Sequence, residues 1–237
     1  MLPERSFVGV PTWDGTLSPD EFRIGALAFA EKWERISHNH DLPLWTWVSC
    51  LNSSFVSSNQ AGGYLSLEKM CIFRRDKLDD DGIDLSGKEE PSCFESEVSA
   101  DPAILVQQGA DEVHSYDFHI VYSNSYKIPV LYFRGYNSDG RTLMLDQIER
   151  DLPVNSAKLL TEAKWTFITQ QEHPYLNRPW YSLHPCGTND LMRLLISDPS
   201  LSRDTVTAEG YLVSWFSVVS QVVGIRLPLQ MAVSHQA

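Results

Sequence analysis

Residues 112–136, EVHSYDFHIVYSNSYKIPVLYFRGY, hold two aromatic and β-branched runs separated by the polar, turn-like SNSYKIP. Such residues suit the pleated, half-buried surface of a sheet, and a polar break between two of these runs predicts an antiparallel hairpin. Pro129, near the start of the second run, is tolerable at a strand end or edge. A lone hairpin is not stable in water, so the rest of the chain must add strands and a packing layer.

The flanking segments supply both. LSPDEFRIGALAFAEKWERI reads as a helix: Ser18 is a good N-cap, Pro19 sits at N1, and Glu21 completes a capping box. Phe22, Ala26, Phe29, Trp33 and Ile36 recur at steps of four and three, giving one apolar face. Acids and bases balance on the rest of that helix, which favours core packing over a membrane anchor. LWTWVSC and GGYLSLEKMCIFRR read as strands, and SDGRTLMLDQIERDL as a turn passing into a short helix or an irregular connection. AKWTFITQQEHP and RPWYSLHP are two further short apolar runs. TNDLMRLLI then reads as a helix with Thr188 as N-cap, and TVTAEGYLVSWFSVVSQVVGI as a longer one with a stripe of Val213, Phe216, Val219 and Val223. The order predicts an α+β fold, an antiparallel sheet flanked by helices.

Charge narrows the function classes. The net charge is -12, and no stripe of Lys and Arg interleaves with aromatics, so nonspecific binding to nucleic acid or to an anionic membrane is disfavoured. Much of the acidity lies in residues 76–101, which hold ten carboxylates against two lysines and few large apolar groups. That composition predicts an acidic flexible loop within a single domain spanning 1–237. No apolar run is long enough to span a bilayer, and MLPERSFVGVPTWDGT does not read as a signal peptide, so a cytoplasmic protein without stable membrane insertion is expected.

Four cysteines are present, widely spaced and without a CxxC pair, as suits a reducing compartment. Cys50 and Cys71 fall in strand-like runs and read as core, whereas Cys93 lies among carboxylates. Cys186 differs, because Gly187 and Thr188 place it where a strand-like run gives way to a helix. Helix N-termini favour the thiolate form of a thiol. His184 is two residues away, but alternate residues of an extended chain point to opposite faces and Pro185 stiffens the link. His184 is therefore expected to be a structural histidine that fixes the loop. Zinc ligation by His173, His184 and Cys186 lacks a fourth ligand at a usual spacing, and the local signatures of cysteine proteases are absent; no metal and no cofactor are expected. The residues alone leave core filler, metal ligand and nucleophile ranked in favour of the last.

The window QQEHPYLNRPWYSLHPCGTNDLM, residues 170–192, closely resembles the active-site region of the autophagy-related protein 10 family of E2-like conjugating enzymes, in which an aromatic strand runs into His-Pro-Cys and then a helix. The element order resembles an E2-like fold through about residues 18–225. The resemblance implies that Cys186 accepts the ubiquitin-like autophagy-related protein 12 as a thioester from the E1-like autophagy-related protein 7. Transfer to a lysine of autophagy-related protein 5 would follow. The related branch that conjugates a modifier to a lipid fits less well, since the amphipathic N-terminal membrane helix of that relative is not evident; an inactive E2-like adaptor and an unrelated cysteine hydrolase are the other readings. Ordinary E2s carry an oxyanion-orienting Asn in His-Pro-Asn, and here Cys186 stands at that position. Asn177, Asn189 and the N–H of Gly187 are the substitute candidates, beside His184 and Pro185 as supporting residues. The family also implies that the hairpin meets the acceptor protein, so Tyr122, Tyr126, Lys127 and Tyr132 are expected on an edge strand suited to strand addition.

Overall fold

A computed structural model describes residues 14–37, 42–50, 61–73, 113–157, 168–195 and 207–232. The acidic stretch 76–101, Cys93 and the start of the AKWTFITQQEHP run lie outside these residues. The elements are α1 (Pro19–Ser37), β1 (Thr46–Ser49), β2 (Gly63–Phe73), β3 (Val113–Ser123), β4 (Ile128–Tyr136), α2 (Leu145–Asp151), β5 (Ile168–Glu172), β6 (Pro179–Leu183), α3 (Thr188–Leu195), α4 (Ala208–Val222) and α5 (Leu229–Ala232). The strands form one antiparallel sheet in the order β1-β2-β3-β4-β6-β5, so the fold is α+β as expected.

The hairpin forms in register from Ser115 opposite Tyr136 to Ser123 opposite Ile128. Its turn closes through the Lys127 N–H donating to the Ser123 carbonyl at 2.7 Å, with Lys127 itself at a φ of 56°. Strand alternation divides its side chains between two cores. Phe118, Ile120, Tyr122, Leu131 and Phe133 join the main core with the helices, while Val121, Val130 and Tyr132 face the other side. Pro129 precedes the short β4–β6 ladder, which pairs Tyr132 with Ser182 and Phe133 with Tyr181, so it removes no bond from that ladder.

The expected edge position of this hairpin is overturned. β3 and β4 are interior strands, and the edges of the described sheet are β1 and β5. Their long apolar runs are the reason: covered on both faces, they gain most from central placement.

α1 begins as its sequence dictates, with Ser18 and Glu21 exchanging hydrogen bonds of 2.7 and 3.2 Å in a capping box. It packs on α4 at Gly25, where an added Cβ would lie 2.5 Å from the Ala208 carbonyl oxygen. Phe29, Trp33, Trp45 and Phe216 meet mostly edge to face with centroids 5.4–6.5 Å apart, the geometry aromatic quadrupoles favour. The Trp33 indole N–H donates to the Pro43 carbonyl at 3.0 Å, so even this core aromatic is satisfied. The opposite sheet face is covered by Tyr175 and Leu176 from the turn between β5 and β6, which pack on Tyr64, Val121, Val130, Tyr132 and Trp180. No helix among the described residues is long and apolar enough to cross a membrane.

Candidate active site

β6 carries the chain to the site. Trp180 and Ser182 are buried on the second face, while Tyr181 and Leu183 pack against the main core, so the strand is anchored on both sides before it ends at Leu183. Pro185 cannot donate to a sheet, and residues 186–187 turn. Gly187 takes a φ of 79°, in the left-handed region that side-chain-bearing residues avoid, and its carbonyl accepts the Leu191 N–H at 2.8 Å. Gly187 is thus the N-cap of α3 and Thr188 its first residue, one position earlier than the sequence suggested; the Thr188 N–H donates to the Pro185 carbonyl at 3.2 Å. The fully buried Met192 pins α3 to the core and leaves Cys186 exposed at the helix entrance.

His184 does not point away from Cys186. The alternation rule fails because the strand has already ended and the chain turns at Cys186 and Gly187. The imidazole Nδ1 of His184 accepts the Cys186 N–H at 3.1 Å, and its Nε2 lies 3.9 Å from Cys186 Sγ. One ring therefore fixes the backbone of Cys186 and faces its sulfur.

A second element holds this corner, and it escaped the sequence reading. Residues 14–18 run as a strap across the Cys186 end of the sheet. The Leu17 N–H donates to the Lys127 carbonyl at 2.8 Å, and the Tyr122 hydroxyl donates to the Leu17 carbonyl at 2.8 Å. Tyr211 of α4 donates to the Gly15 carbonyl at 2.9 Å. Gly15, at a φ of 83°, sits so close to α3 that a Cβ would come within 2.4 Å of the Asn189 carbonyl oxygen. The first turn of α3 is thus seated on the strap, and the strap is tied to the turn of the β3–β4 hairpin. Because β6 runs antiparallel to β4, that hairpin turn and Cys186 lie at the same end of the sheet.

A family model for the autophagocytosis associated protein, active-site domain, matches residues 21–230. The ubiquitin-like-conjugating enzyme ATG10 of Arabidopsis thaliana is 50% identical over 221 residues, 92% of this chain and 96% of that one. The human enzyme of the same name is 40% identical over 132 residues, 56% of this chain and 59% of its own. The chain belongs to the ATG10 family. A crystal structure of the autophagic E2 Atg10 aligns with 88% of this chain and 98% of that chain at a TM-score of 0.48 and 16% identity.

Against the family expectations, the remaining candidates separate. Asn177 lies in the turn before β6 at a φ of 50°, and the five residues of that strand, at about 3.3 Å each, carry it roughly 16 Å from the Cys186 end. It is a turn residue and does not join Cys186. Asn189 lies in the first turn of α3, where its Oδ1 is buried without a hydrogen-bond partner among the described residues. Tyr122 and Tyr132 are both 6% exposed; Tyr122 holds the strap, and Tyr132 accepts a 2.8 Å hydrogen bond from Gln171 while burial pushes its hydroxyl up to about 12. Neither is available for strand addition, because each sits on an interior strand with its side chain packed in a core. Tyr126 and Lys127 are exposed in the hairpin turn.

The three residues weighed for zinc do not assemble. His173 is fully buried at the far end of the β5–β6 hairpin, and among the described residues no cluster of three metal-ligating side chains occurs. His173 instead lies 3.0 Å, Nε2 to Nδ1, from His119 of β3, among the rings of Tyr64, Tyr132 and Trp180. Its Nδ1 accepts the Tyr175 N–H at 3.3 Å, so the neutral ring carries its proton on Nε2 and donates to His119. Burial holds both rings neutral, taking His119 down to about 3, helped by His173 and the Arg178 cation, and His173 down to about 4, helped by Arg178.

Proposed function

We propose that Cys186 carries a ubiquitin-like modifier as a thioester, received from an E1-like enzyme and passed to an amine. In the first step the Cys186 thiolate attacks the E1 thioester carbonyl, a new C–S bond forms, and the E1 thiolate leaves. In the second an amine attacks the same carbonyl, a C–N bond forms, the amine loses a proton to solvent, and the Cys186 thiolate is released. Both steps need a reachable sulfur on a rigid support rather than a strong base beside it. The observation that carries this reading is the exposed Cys186 in the turn shaped by His184 and Gly187, inside the region shared with the ATG10 family. No cofactor enters the chemistry.

In finer terms, the modifier is autophagy-related protein 12, the donor is autophagy-related protein 7, and the acceptor is a lysine of autophagy-related protein 5, with the reaction taking place in the cytoplasm. The acceptor docks at Tyr126 and Lys127, which are exposed at the Cys186 end of the sheet. Incubation with the E1-like enzyme, modifier and ATP should give a reducible adduct that becomes resistant to thiols when Cys186→Ser replaces the thioester by an oxyester. An inactive adaptor gives no adduct, and a hydrolase gives none that depends on the E1.

A further inference from the structure

Transfer through a thioester builds negative charge on the carbonyl oxygen, and the Asn that meets it in ordinary E2s has no counterpart at this position. We infer that His184 is the oxyanion donor, acting through its Nε2–H; the inference rests on the assignment of Cys186 as the thioester nucleophile.

The tautomer follows from the backbone. His184 Nδ1 accepts the Cys186 N–H, so in the neutral ring that nitrogen carries a lone pair and the proton sits on Nε2. An Nε2 that already bears hydrogen cannot take one from the thiol, which rules out the ring as the base for Cys186. What it offers the site is an N–H directed to the side of the sulfur, 3.9 Å from Sγ. That separation is wide for a direct N–H···S bond. It leaves room for an oxygen on the carbon bonded to Sγ, which requires a donor about 2.7–3.1 Å away. The ring is also held before reaction, because its other nitrogen is tied to the chain that carries the nucleophile, and preorganisation is what gives such a donor its effect.

Several of the competing donors are engaged or distant. The Cys186 N–H is held by His184, the Thr188 N–H by Pro185 and the Leu191 N–H by Gly187. Asn177 is a strand length away. The Gly187 N–H, in the same turn, is a backbone group left to share the task.

Two substitutions separate holding the turn from donating to the oxyanion. In His184→Asn the side-chain oxygen replaces Nδ1 as acceptor for the Cys186 N–H but nothing reaches the sulfur. In His184→Gln the terminal NH2 takes the place of Nε2–H. Each full-length variant is charged by the E1-like enzyme, the E1 is quenched, and discharge of the Cys186 thioester to free lysine is timed in single turnover beside a thermal melt. His184→Asn should discharge roughly 10²-fold more slowly with an unchanged melt, and His184→Gln should stay within a few-fold of the parent. A parent rate in His184→Asn, or equal slowing in both variants, overturns the inference while leaving Cys186 as the nucleophile. No E1-dependent adduct on the parent protein overturns the nucleophile assignment and the donor with it.

Discussion

The buried His119–His173 pair makes the stability of this protein depend on pH in a window where carboxylates are still ionised. Both rings are held well below the ordinary value of 6.5, His119 at about 3 and His173 at about 4. A histidine depressed by folding binds more protons when unfolded, so stability is complete above 6.5 and is lost as pH falls from there toward the folded values. At pH 5 both folded values lie below the solution pH, and the loss is set almost wholly by the unfolded side. Each ring then costs about 2 kcal/mol relative to pH 7, about 4 kcal/mol for the pair. Against a typical stability of about 5–15 kcal/mol this is a large fraction. Urea unfolding followed by tryptophan fluorescence at half-unit steps from pH 7 to pH 5 reads it directly. The double variant His119→Gln, His173→Gln, compared at its own pH 7 stability, should lose most of the slope, and ring resonances of the two histidines should not titrate in the folded protein down to pH 5. A flat stability profile in the parent, or a double variant with the full slope, would refute the argument.

Four variants test other parts of the structure. Gly25→Ala drives a methyl against the Ala208 backbone at 2.5 Å, so α1 and α4 must part, with an expected loss of about 1–3 kcal/mol seen as a lowered Tm. Trp33→Ala empties the centre of the aromatic cluster and should cost about 3–5 kcal/mol by denaturant titration, since the indole is 1% exposed and also hydrogen-bonded. Gly187→Ala meets open space but must hold a φ of 79°, so about 1–2 kcal/mol of strain should appear together with slower thioester formation. Replacing Tyr126 and Lys127 by Ala should lower conjugation to the acceptor protein several-fold while E1-dependent charging of Cys186 is kept; equal loss of both steps would remove the hairpin turn from acceptor docking.

The cysteine was legible because its signal is local. A strand-like run, a proline and a helix start within a few residues constrain where a thiol can sit, and the structure leaves Cys186 exposed at that junction. His184 fixes the turn as expected, and only the direction of its ring was misjudged, for an equally local reason. Alternation holds while a strand lasts, and the strand stops at Leu183, ahead of Pro185, rather than at Cys186. Tyr122 and Tyr132 carried the same ambiguity, because an aromatic on a strand looks alike whether its strand is at an edge or in the middle, and only pairing with β2 and β6 places the hairpin inside.

What the sequence determined by itself are the properties set over short spans: the capping box of α1, the two-residue alternation of β3 and β4, and the thiol at a helix entrance. Tertiary structure decided whatever depends on groups far apart in the chain. His119 and His173 are neighbours only through the sheet order, and the strap at residues 14–18 reaches Lys127, Asn189 and Tyr211 from the far side of the sequence. Dihedral preferences and caps act within a few residues, whereas burial and hydrogen-bond pairing answer to whatever the folded chain brings alongside.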